Sequence, residues 1–144
     1  MDAYLKFTET ANNAERKPHQ LGQAIDPAAD YGKYSFDPVR GQENAYILYL
    51  SQQGWVRRGT PPTPRPQVTS VDLAAKPYPS VSLTNCPIRS LGWEQTYYDV
   101  KTGNPTPDPY ATQAPLTLNV QVIYYEGHWG VYKIDRLKDK PCGA

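Results

Sequence analysis

The sequence has no hydrophobic run approaching the roughly 20 apolar residues that a helix needs to span a bilayer. After Met1 to Lys6 it also lacks the basic and apolar regions of a signal peptide. We therefore expect either a cytosolic protein or one whose export segment has been removed. Charge of one sign is missing as well, because 15 basic and 14 acidic residues leave a formal net charge of +1. That balance favours neither nucleic acid nor an anionic membrane face as a partner.

Cysteine is also scarce, since only Cys86 and Cys142 are present. Their spacing excludes a CxxC redox motif, and the two histidines do not complete a zinc-ligand spacing. They are either two unrelated buried thiols or a disulfide. Because chain ends fray, Cys142 is poorly placed to be a buried free thiol. We favour the disulfide and, with it, an oxidising compartment.

What the sequence does contain is enough length for one domain with a real core, and many tyrosines. There are twelve Tyr and only two Phe. Tyrosine has an apolar ring and a polar tip, so it suits half-buried sheet faces and recognition surfaces equally. Composition alone does not choose between these two uses.

The stretch from Pro115 to Leu137 gives the clearest structural signal. Residues 116–125 and 128–134 alternate with a period of two around Glu126-Gly127, which predicts a β-hairpin with a two-residue turn. The turn length sets the expected cross-strand pairs, which are Tyr124 with Trp129, Val122 with Val131, and Val120 with Lys133. We expect these side chains to face the helices until Lys133 marks the edge of the core.

Three helices are predicted in the first part of the chain. The first covers residues 2–16, the second runs from His19 to Ile25, and the third starts at Asp37-Pro38 and ends near Gln53 before Gly54. In the first helix the apolar face consists of Tyr4, Phe7, Ala11 and Ala14. In the third it consists of Ala45, Tyr46, Tyr49 and Leu50.

The middle of the chain predicts strands. A proline-rich segment from Thr60 to Pro66 is either a linker between two domains or, as we favour, an extended edge segment. Strands are then predicted over residues 67–73, 80–86 and 93–100, followed by a turn at 101–104 and a loop through Pro105, Pro107 and Pro109. The expected fold class is α+β, with N-terminal helices (about 2–54) packed on a curved antiparallel sheet of five or six strands (about 55–137). A disulfide-tethered tail (138–144) completes a single domain, 1–144.

Three local patterns resemble those of many secreted proteins and lipoproteins of actinobacteria. They are a helical opening around Tyr4 and Phe7, a strand ending in Cys86 with Trp93 soon after, and Gly127-His128-Trp129-Gly130-Val131 followed by Cys142. The domain of such envelope proteins is similar to the nuclear transport factor 2-like (cystatin-like) cone.

This resemblance implies a fold and a location but no catalytic residues. It implies a Cys86 to Cys142 disulfide and a mature region that follows a lipid-bearing or cleaved signal segment. The lipobox itself does not occur in this sequence, so the membrane anchor is an expectation from the resemblance. Bacteriophages of these hosts can carry envelope lipoproteins too, so both a host and a phage origin fit.

Enzymes of the cone shape commonly place an Asp and a His face to face, and five residues are candidates for such a pair. They are His19, His128, Asp30, Asp37 and Asp99. We expect His128 in solvent beside the turn, His19 in a polar role at a helix end, and Asp37 as a helix cap. Asp99 is predicted to point into a pocket, but it has no identifiable acid or base partner. The predicted pocket residues are Tyr46, Tyr49, Asp99, Tyr124 and Trp129, and we predict no metal or cofactor.

Two further motifs have plain structural interpretations. Arg57-Arg58 beside Trp55 could stack on or bind phosphate, but in a near-neutral chain we expect a solvated strand edge. Thr60 to Pro64 could serve as a polyproline ligand, and a stiff edge connection is the favoured interpretation.

The leading functional hypothesis is an exported, membrane-anchored cell-envelope domain that binds a protein or another envelope component and is not an enzyme. In a phage its role would be superinfection exclusion, and in a host or plasmid setting it would support secretion or conjugation. The alternative is a small-molecule-binding protein or SnoaL-like enzyme that uses the mouth of the cone. A third hypothesis is an assembly module whose partner is its own oligomer, paired through the open sheet face.

Overall fold

The computed structural model describes residues 1–111 and 116–142. Pro115, at the start of the predicted hairpin stretch, and Gly143 and Ala144, at the end of the predicted tail, lie outside the described residues. Three α-helices pack against two antiparallel sheets, so the predicted α+β class is confirmed.

Helix α1 spans Asp2–Arg16, as the sequence predicts. Its apolar residues recur near every 3.6 positions and therefore form one face, which is buried. The buried residues of α1 are Tyr4, Phe7, Thr10, Ala11 and Ala14. The polar tip of Tyr4 is satisfied by Asn85 of the sheet, whose Nδ2 donates to the phenol oxygen.

The predicted helix from His19 to Ile25 is wrong. Gly22 has φ +82°, a left-handed conformation that interrupts a right-handed helix, and Leu21 is 89% exposed. The chain instead makes two 3₁₀ turns, Pro27–Ala29 and Tyr31–Tyr34. Asp26 caps the first of these, because its Oδ1 accepts a hydrogen bond from the amide of Ala28 at 2.9 Å.

Helix α2 spans Val39–Gln53 and begins and ends close to the predicted limits. Asp37 Oδ1 accepts a hydrogen bond from the amide of Gly41 at 3.0 Å, and Gly54 ends the helix with φ 71°. The predicted apolar face is only partly right, because Ala45 is exposed. The buried residues of α2 are Val39, Ile47 and Leu50.

In the described part of the chain, seven strands form two sheets, whereas the sequence predicts a single curved sheet of five or six strands. The strands are β1 (Trp55–Val56), β2 (Pro66–Asp72), β3 (Ser80–Asn85), β4 (Thr96–Asp99), β5 (Pro105–Pro107), β6 (Leu116–Tyr125) and β7 (His128–Pro141). The small sheet has the order β1-β4-β5 and the large sheet has the order β2-β3-β6-β7.

The C-terminal half departs from the predicted strand limits in three places. The segment predicted as a strand from Trp93 begins as the short helix α3 (Leu91–Glu94), because Glu94 accepts a hydrogen bond from the amide of Ser90 and closes a turn. The predicted proline loop contains β5, which pairs with β4 at the edge of the small sheet, where prolines are tolerated. The predicted tail from residue 138 is mostly strand, since β7 continues to Pro141.

The β6–β7 hairpin has the predicted two-residue turn, with φ 51° at Glu126 and 85° at Gly127. Tyr124 pairs with Trp129 and Val122 with Val131, as predicted. A bulge between Gln121 and Val122 then shifts the register by one residue. As a consequence, Val120 pairs with Ile134 and not with Lys133, which corrects the predicted edge of the core.

The core lies between α1, α2 and the large sheet. Side chains of directly paired residues in an antiparallel sheet point to the same face, so three strands share one apolar inner face. Its fully buried members are Leu83, Val120, Val122 and Val131, and they meet Ile47 and Leu50 from α2.

A smaller aromatic contact forms on the opposite side of the hairpin. Ser35 pairs in parallel with Val131, and this places the ring of Phe36 against Gly130. The ring of His128 lies 4.8 Å from that of Phe36. His128 is therefore half-buried, which corrects the expectation that it lies in solvent.

Cys86 and Cys142 form the predicted disulfide, with their Cα atoms 5.6 Å apart. Cys86 follows β3 and Cys142 follows β7, the two strands on either side of β6. The bond therefore links β3 to β7 at the end of the large sheet that lies away from the hairpin turn.

Replacing both cysteines, Cys86→Ser with Cys142→Ser, should lower the free energy of unfolding by about 4 kcal/mol, because the bond closes a loop with a sequence separation of 56. Urea denaturation checks the value. Reduced wild-type protein should match the double variant, and equal midpoints for oxidised and reduced protein would contradict the predicted contribution.

Gly130→Ala should destabilise the fold by about 1–3 kcal/mol, because a Cβ there would lie 2.7 Å from the ring of Phe36. The matched control is Gly92→Ala, where a Cβ meets no atom within 4 Å. Adding Phe36→Leu to Gly130→Ala should recover part of the lost stability, which thermal denaturation measures. Additive losses in the double variant would count against this contact.

Candidate functional site

A buried ion pair joins the two edges of the small sheet, because Arg57 follows β1 and Asp108 follows β5. Arg57, which follows β1, donates from Nη2 to Asp108 Oδ2 at 2.6 Å, and each side chain is only 7% exposed. A second donor, Nη1, reaches the carbonyl of Thr96 at 3.3 Å. The expectation that Arg57 lies on a solvated strand edge is therefore wrong. Its exposed neighbour, Arg58, lies over the ring of Tyr98 at 5.2 Å.

Two tyrosines extend this buried pair. The guanidinium of Arg57 lies 3.9 Å from the ring centroid of Tyr97, a cation–π contact in a desolvated place. The hydroxyl groups of Tyr46 and Tyr97 are 2.7 Å apart. Helix α2 is thereby linked to β4 by a polar contact within the protein.

Two carboxyl groups, one from each long helix, enter the same region. Burial raises the pKa of Glu15 to about 7, although Arg57 and hydrogen bonds with Tyr46 and Trp93 oppose this effect. Burial also raises the pKa of Glu43 to about 8, and the nearby charge of Glu15 adds to the rise. Titration of each group near neutral pH is therefore coupled to the packing of α1 against α2.

The residues named so far form what we call the buried polar cluster: Glu15, Glu43, Tyr46, Arg57, Tyr97 and Asp108. Carboxyl groups with a pKa near 7 are suited to proton transfer, which makes the cluster the strongest candidate for acid–base chemistry among the described residues. Its contacts are made with other protein groups, so it also has a structural explanation as an internal network that links α1, α2 and the small sheet. Arg57 Nε is buried in it without a hydrogen-bond partner.

The structure places four of the five predicted pocket residues in two separate regions. Tyr46 belongs to the buried polar cluster, and Tyr49 meets the ring of Trp55 edge-on at 6.1 Å. At the hairpin, Tyr124 packs on Trp129 with ring centroids 5.5 Å apart. Asp99 joins neither group.

Asp99 takes part in a turn at the end of β4. Its Oδ1 accepts hydrogen bonds from the amides of Lys101 and Thr102, at 2.9 and 3.0 Å, and so shapes the predicted turn. These backbone hydrogen bonds lower the pKa of the exposed carboxyl group. The residue has the role of a turn former.

The other candidates for an Asp–His pair are also separated. His19 Nε2 lies 3.2 Å from the hydroxyl of Tyr31, beside a cavity of about 260 Å³ that Asp26 also lines. Asp37 precedes Pro38, which is the N-cap of α2, and its Oδ1 accepts a hydrogen bond from the amide of Gly41 within the first turn, so the predicted capping position is off by one residue. Asp30 lies between the two 3₁₀ turns, and His128 is on the hairpin.

An apolar cavity lies where the start of α1, the second 3₁₀ turn, the start of α2 and the start of β7 meet. It has a volume of about 530 Å³, within the range of small-molecule sites. We call it the cationic groove, and it is lined by Asp2, Ala3, Lys6, Gly32, Lys33, Tyr34, Arg40, His128 and Trp129. Apolar rings and aliphatic groups are thus surrounded by three cationic side chains.

A second cavity of about 380 Å³ adjoins the cationic groove. The two share Asp2, Ala3 and Trp129, and the second is also lined by Val81 and Val122 of the large sheet. The two cavities therefore meet at Ala3 and Trp129, and the second extends to Val81 of the large sheet.

Comparison with known proteins gives no relative: no family model, no curated protein and no solved structure matches this chain. Within residues 1–111 and 116–142, no helix has both the length and the apolar content needed to cross a membrane. The same residues contain no group of three or more His, Cys, Asp or Glu side chains placed to hold a metal ion.

Sequence reasoning missed Glu15, Glu43 and Asp108 as members of a site. For Glu15 a signal was present, because it lies four residues after Ala11 and eight after Phe7, on the buried side of α1. No comparable signal marks Asp108, since its partner Arg57 is 51 residues away in sequence. The cationic groove draws on four separate segments, so no local pattern could have indicated it.

The raised pKa values predict that the protein becomes less stable as the pH rises from about 5 to about 8. The unfolded chain loses protons from Glu15 and Glu43 near their ordinary pKa of 4.5, whereas the folded chain keeps them until about 7 and 8. Each retained proton gives a slope of up to about 1.4 kcal/mol per pH unit. Urea denaturation at several pH values measures the slope.

Glu43→Gln should flatten this dependence, because it removes one of the two titrating groups. Glu9→Gln, which changes an exposed carboxyl group on α1, is the control and should leave the slope unchanged. A wild-type stability that is level or increases between pH 5 and pH 8 would show that the two carboxyl groups are ionised in the folded protein.

Proposed function

We propose that this chain is an extracytoplasmic binding domain of a cell envelope and that it is not an enzyme. The single observation that supports this most strongly is the Cys86–Cys142 disulfide. Disulfides persist in oxidising compartments and are rare where thiols are kept reduced. A small fold in which such a bond closes the end of the main sheet is suited to conditions outside the cytoplasm.

Two features support binding over catalysis. In the buried polar cluster, Arg57 is engaged by Asp108 and by Tyr97, and Tyr46 is engaged by Tyr97. The cationic groove, by contrast, opens to solvent and presents Tyr34 and Trp129 beside cationic side chains. Aromatic residues flanked by charge are characteristic of recognition surfaces.

The finer identity of the fold belongs to the same proposal. We propose one nuclear transport factor 2-like cone over residues 1–144, of the kind found in actinobacterial secreted proteins and lipoproteins. The support is the helices-then-strands order, the packing of α1 and α2 on the large sheet, and the sequence patterns that end in Cys86 and Cys142. An N-terminal lipid anchor would tether such a domain to the membrane.

The biological role depends on the gene's setting. In a phage, an envelope domain of this kind would exclude superinfecting phage. In a host or on a plasmid, it would assist a secretion or conjugation apparatus. Its partner would be an envelope protein or a further copy of the chain.

A small-molecule-binding protein or enzyme is the second candidate. The observation that favours it is the presence of Glu15 and Glu43, whose pKa values of about 7 and 8 suit proton transfer at neutral pH. We rank it second because neither carboxyl group lines the cationic groove or the cavity that adjoins it.

The location is tested in cells that carry the complete natural gene. Cells are quenched in acid, free thiols are alkylated, and the protein is analysed unreduced by mass spectrometry. We expect Cys86 and Cys142 to be linked and unalkylated. Protease added to intact cells should degrade the domain, while a cytoplasmic marker protein survives.

A matched variant makes this result independent of protease access. Cys86→Ser leaves Cys142 as a lone thiol near the chain end, and a membrane-impermeant maleimide should label it in intact cells. Two alkylated cysteines in the wild type, together with no labelling of the variant before lysis, would refute an extracytoplasmic location.

A further inference from the structure

The cationic groove contains more than an apolar surface, because its charges are predominantly of one sign. Three cationic side chains line it, those of Lys6, Lys33 and Arg40, and the only carboxylate in the lining is that of Asp2. The whole chain is nearly neutral, with a net charge of +1, so this local excess is a property of the groove. A ligand with an anionic group fits that excess.

These cations remain available for a ligand. Lys6 is 3.9 Å from Glu9 in a pair whose side chains are 60% and 66% exposed, an arrangement that stabilises little. Lys33 is exposed, and within the described part of the chain no carboxylate oxygen lies within the 4.0 Å of a salt bridge with it.

Arg40 differs from the two lysines because its position is fixed. One Nη donates to the carbonyl of Ser35 at 2.6 Å, and the guanidinium lies 5.8 Å from the ring centroid of Phe36. A guanidinium has five N–H donors, so one bond to a carbonyl leaves others free. Arg40 can therefore hold an anionic head group in a defined place.

The interior of the groove is suited to a hydrocarbon chain. Tyr34, Trp129 and Ala3 line the cationic groove, and the adjoining cavity continues past Ala3 and Trp129 to Val81 and Val122. A compact anion such as phosphate would leave this apolar path empty. A long, narrow ligand would occupy both cavities while its charged end stays among the cations.

We propose that the cationic groove binds a long-chain carboxylate, with the carboxylate at Lys6, Lys33 and Arg40 and the acyl chain along Tyr34, Trp129 and Val81. This inference rests on the proposed function as a binding domain and names the class of its ligand. Burial of the chain supplies the main free energy, and the cations select the sign of the head group.

Isothermal titration calorimetry with laurate, below its micelle-forming concentration, tests the proposal on the full chain. We expect saturable binding with one laurate per chain. Octanoate should bind more weakly, by up to about fourfold for each methylene removed. Dodecyltrimethylammonium, which has the same chain length and a positive head, should bind at least tenfold more weakly than laurate.

Lys6→Gln with Lys33→Gln should weaken laurate binding by about three- to tenfold, since each removes an exposed charge contact. The matched control is Lys101→Gln with Lys138→Gln, which makes the same change in net charge at exposed lysines outside the groove lining. The control should bind laurate as the wild type does. All four substitutions are at exposed positions, and circular dichroism verifies the fold of each variant.

Three results would overturn the proposal: no saturable laurate binding, equal binding of the cationic amphiphile, or equal weakening in the control variant. If a neutral maltoside of the same chain length binds as well as laurate, the groove recognises hydrocarbon without selecting charge, which also contradicts the proposal. The disulfide and the location are measured without any ligand. A failed laurate titration therefore does not contradict the extracytoplasmic location. Free thiols or a cytoplasmic location in cells would likewise not contradict laurate binding.

Discussion

The pairing of β6 with β7 is the interaction on which the rest of the structure depends. It supplies most of the inner face of the large sheet, and α1 and α2 pack on that face. The bulge opposite Gln121 and Val122 is essential to it, because Val131 and Ile134 are three residues apart. In a regular strand, residues three apart face opposite sides, and the extra residue allows both to face the helices.

The local features of the fold could be predicted from the sequence because their causes are local. The apolar spacing of α1, the glycine that ends α2 and the two-residue turn at Glu126-Gly127 all act within a few residues. The bulge in β7 could not be predicted in this way. It depends on whether Lys133 or Ile134 fits beneath the helices, which is decided by the packing of the whole core.

The same distinction applies to the candidate sites. Arg57 has the sequence context of a surface residue, and its burial becomes favourable only because Asp108 and Tyr97 arrive from distant parts of the chain. The cationic groove is likewise assembled from short segments that have no shared pattern. The fold thus separates its charges into an enclosed set that holds elements together and an open set that faces solvent.

The position of the disulfide has a consequence for how the protein opens. Burial in β6 and β7 is concentrated at Val120, Val122, Ile123, Gly130 and Val131, and the far end of β7 is largely exposed. Such weakly packed strand ends normally separate on their own while the core stays closed. Here the covalent bond lies at that end and keeps the ends of β3 and β7 together as long as it is intact. Local opening at this end of the sheet is thereby restricted by a bond that does not depend on packing.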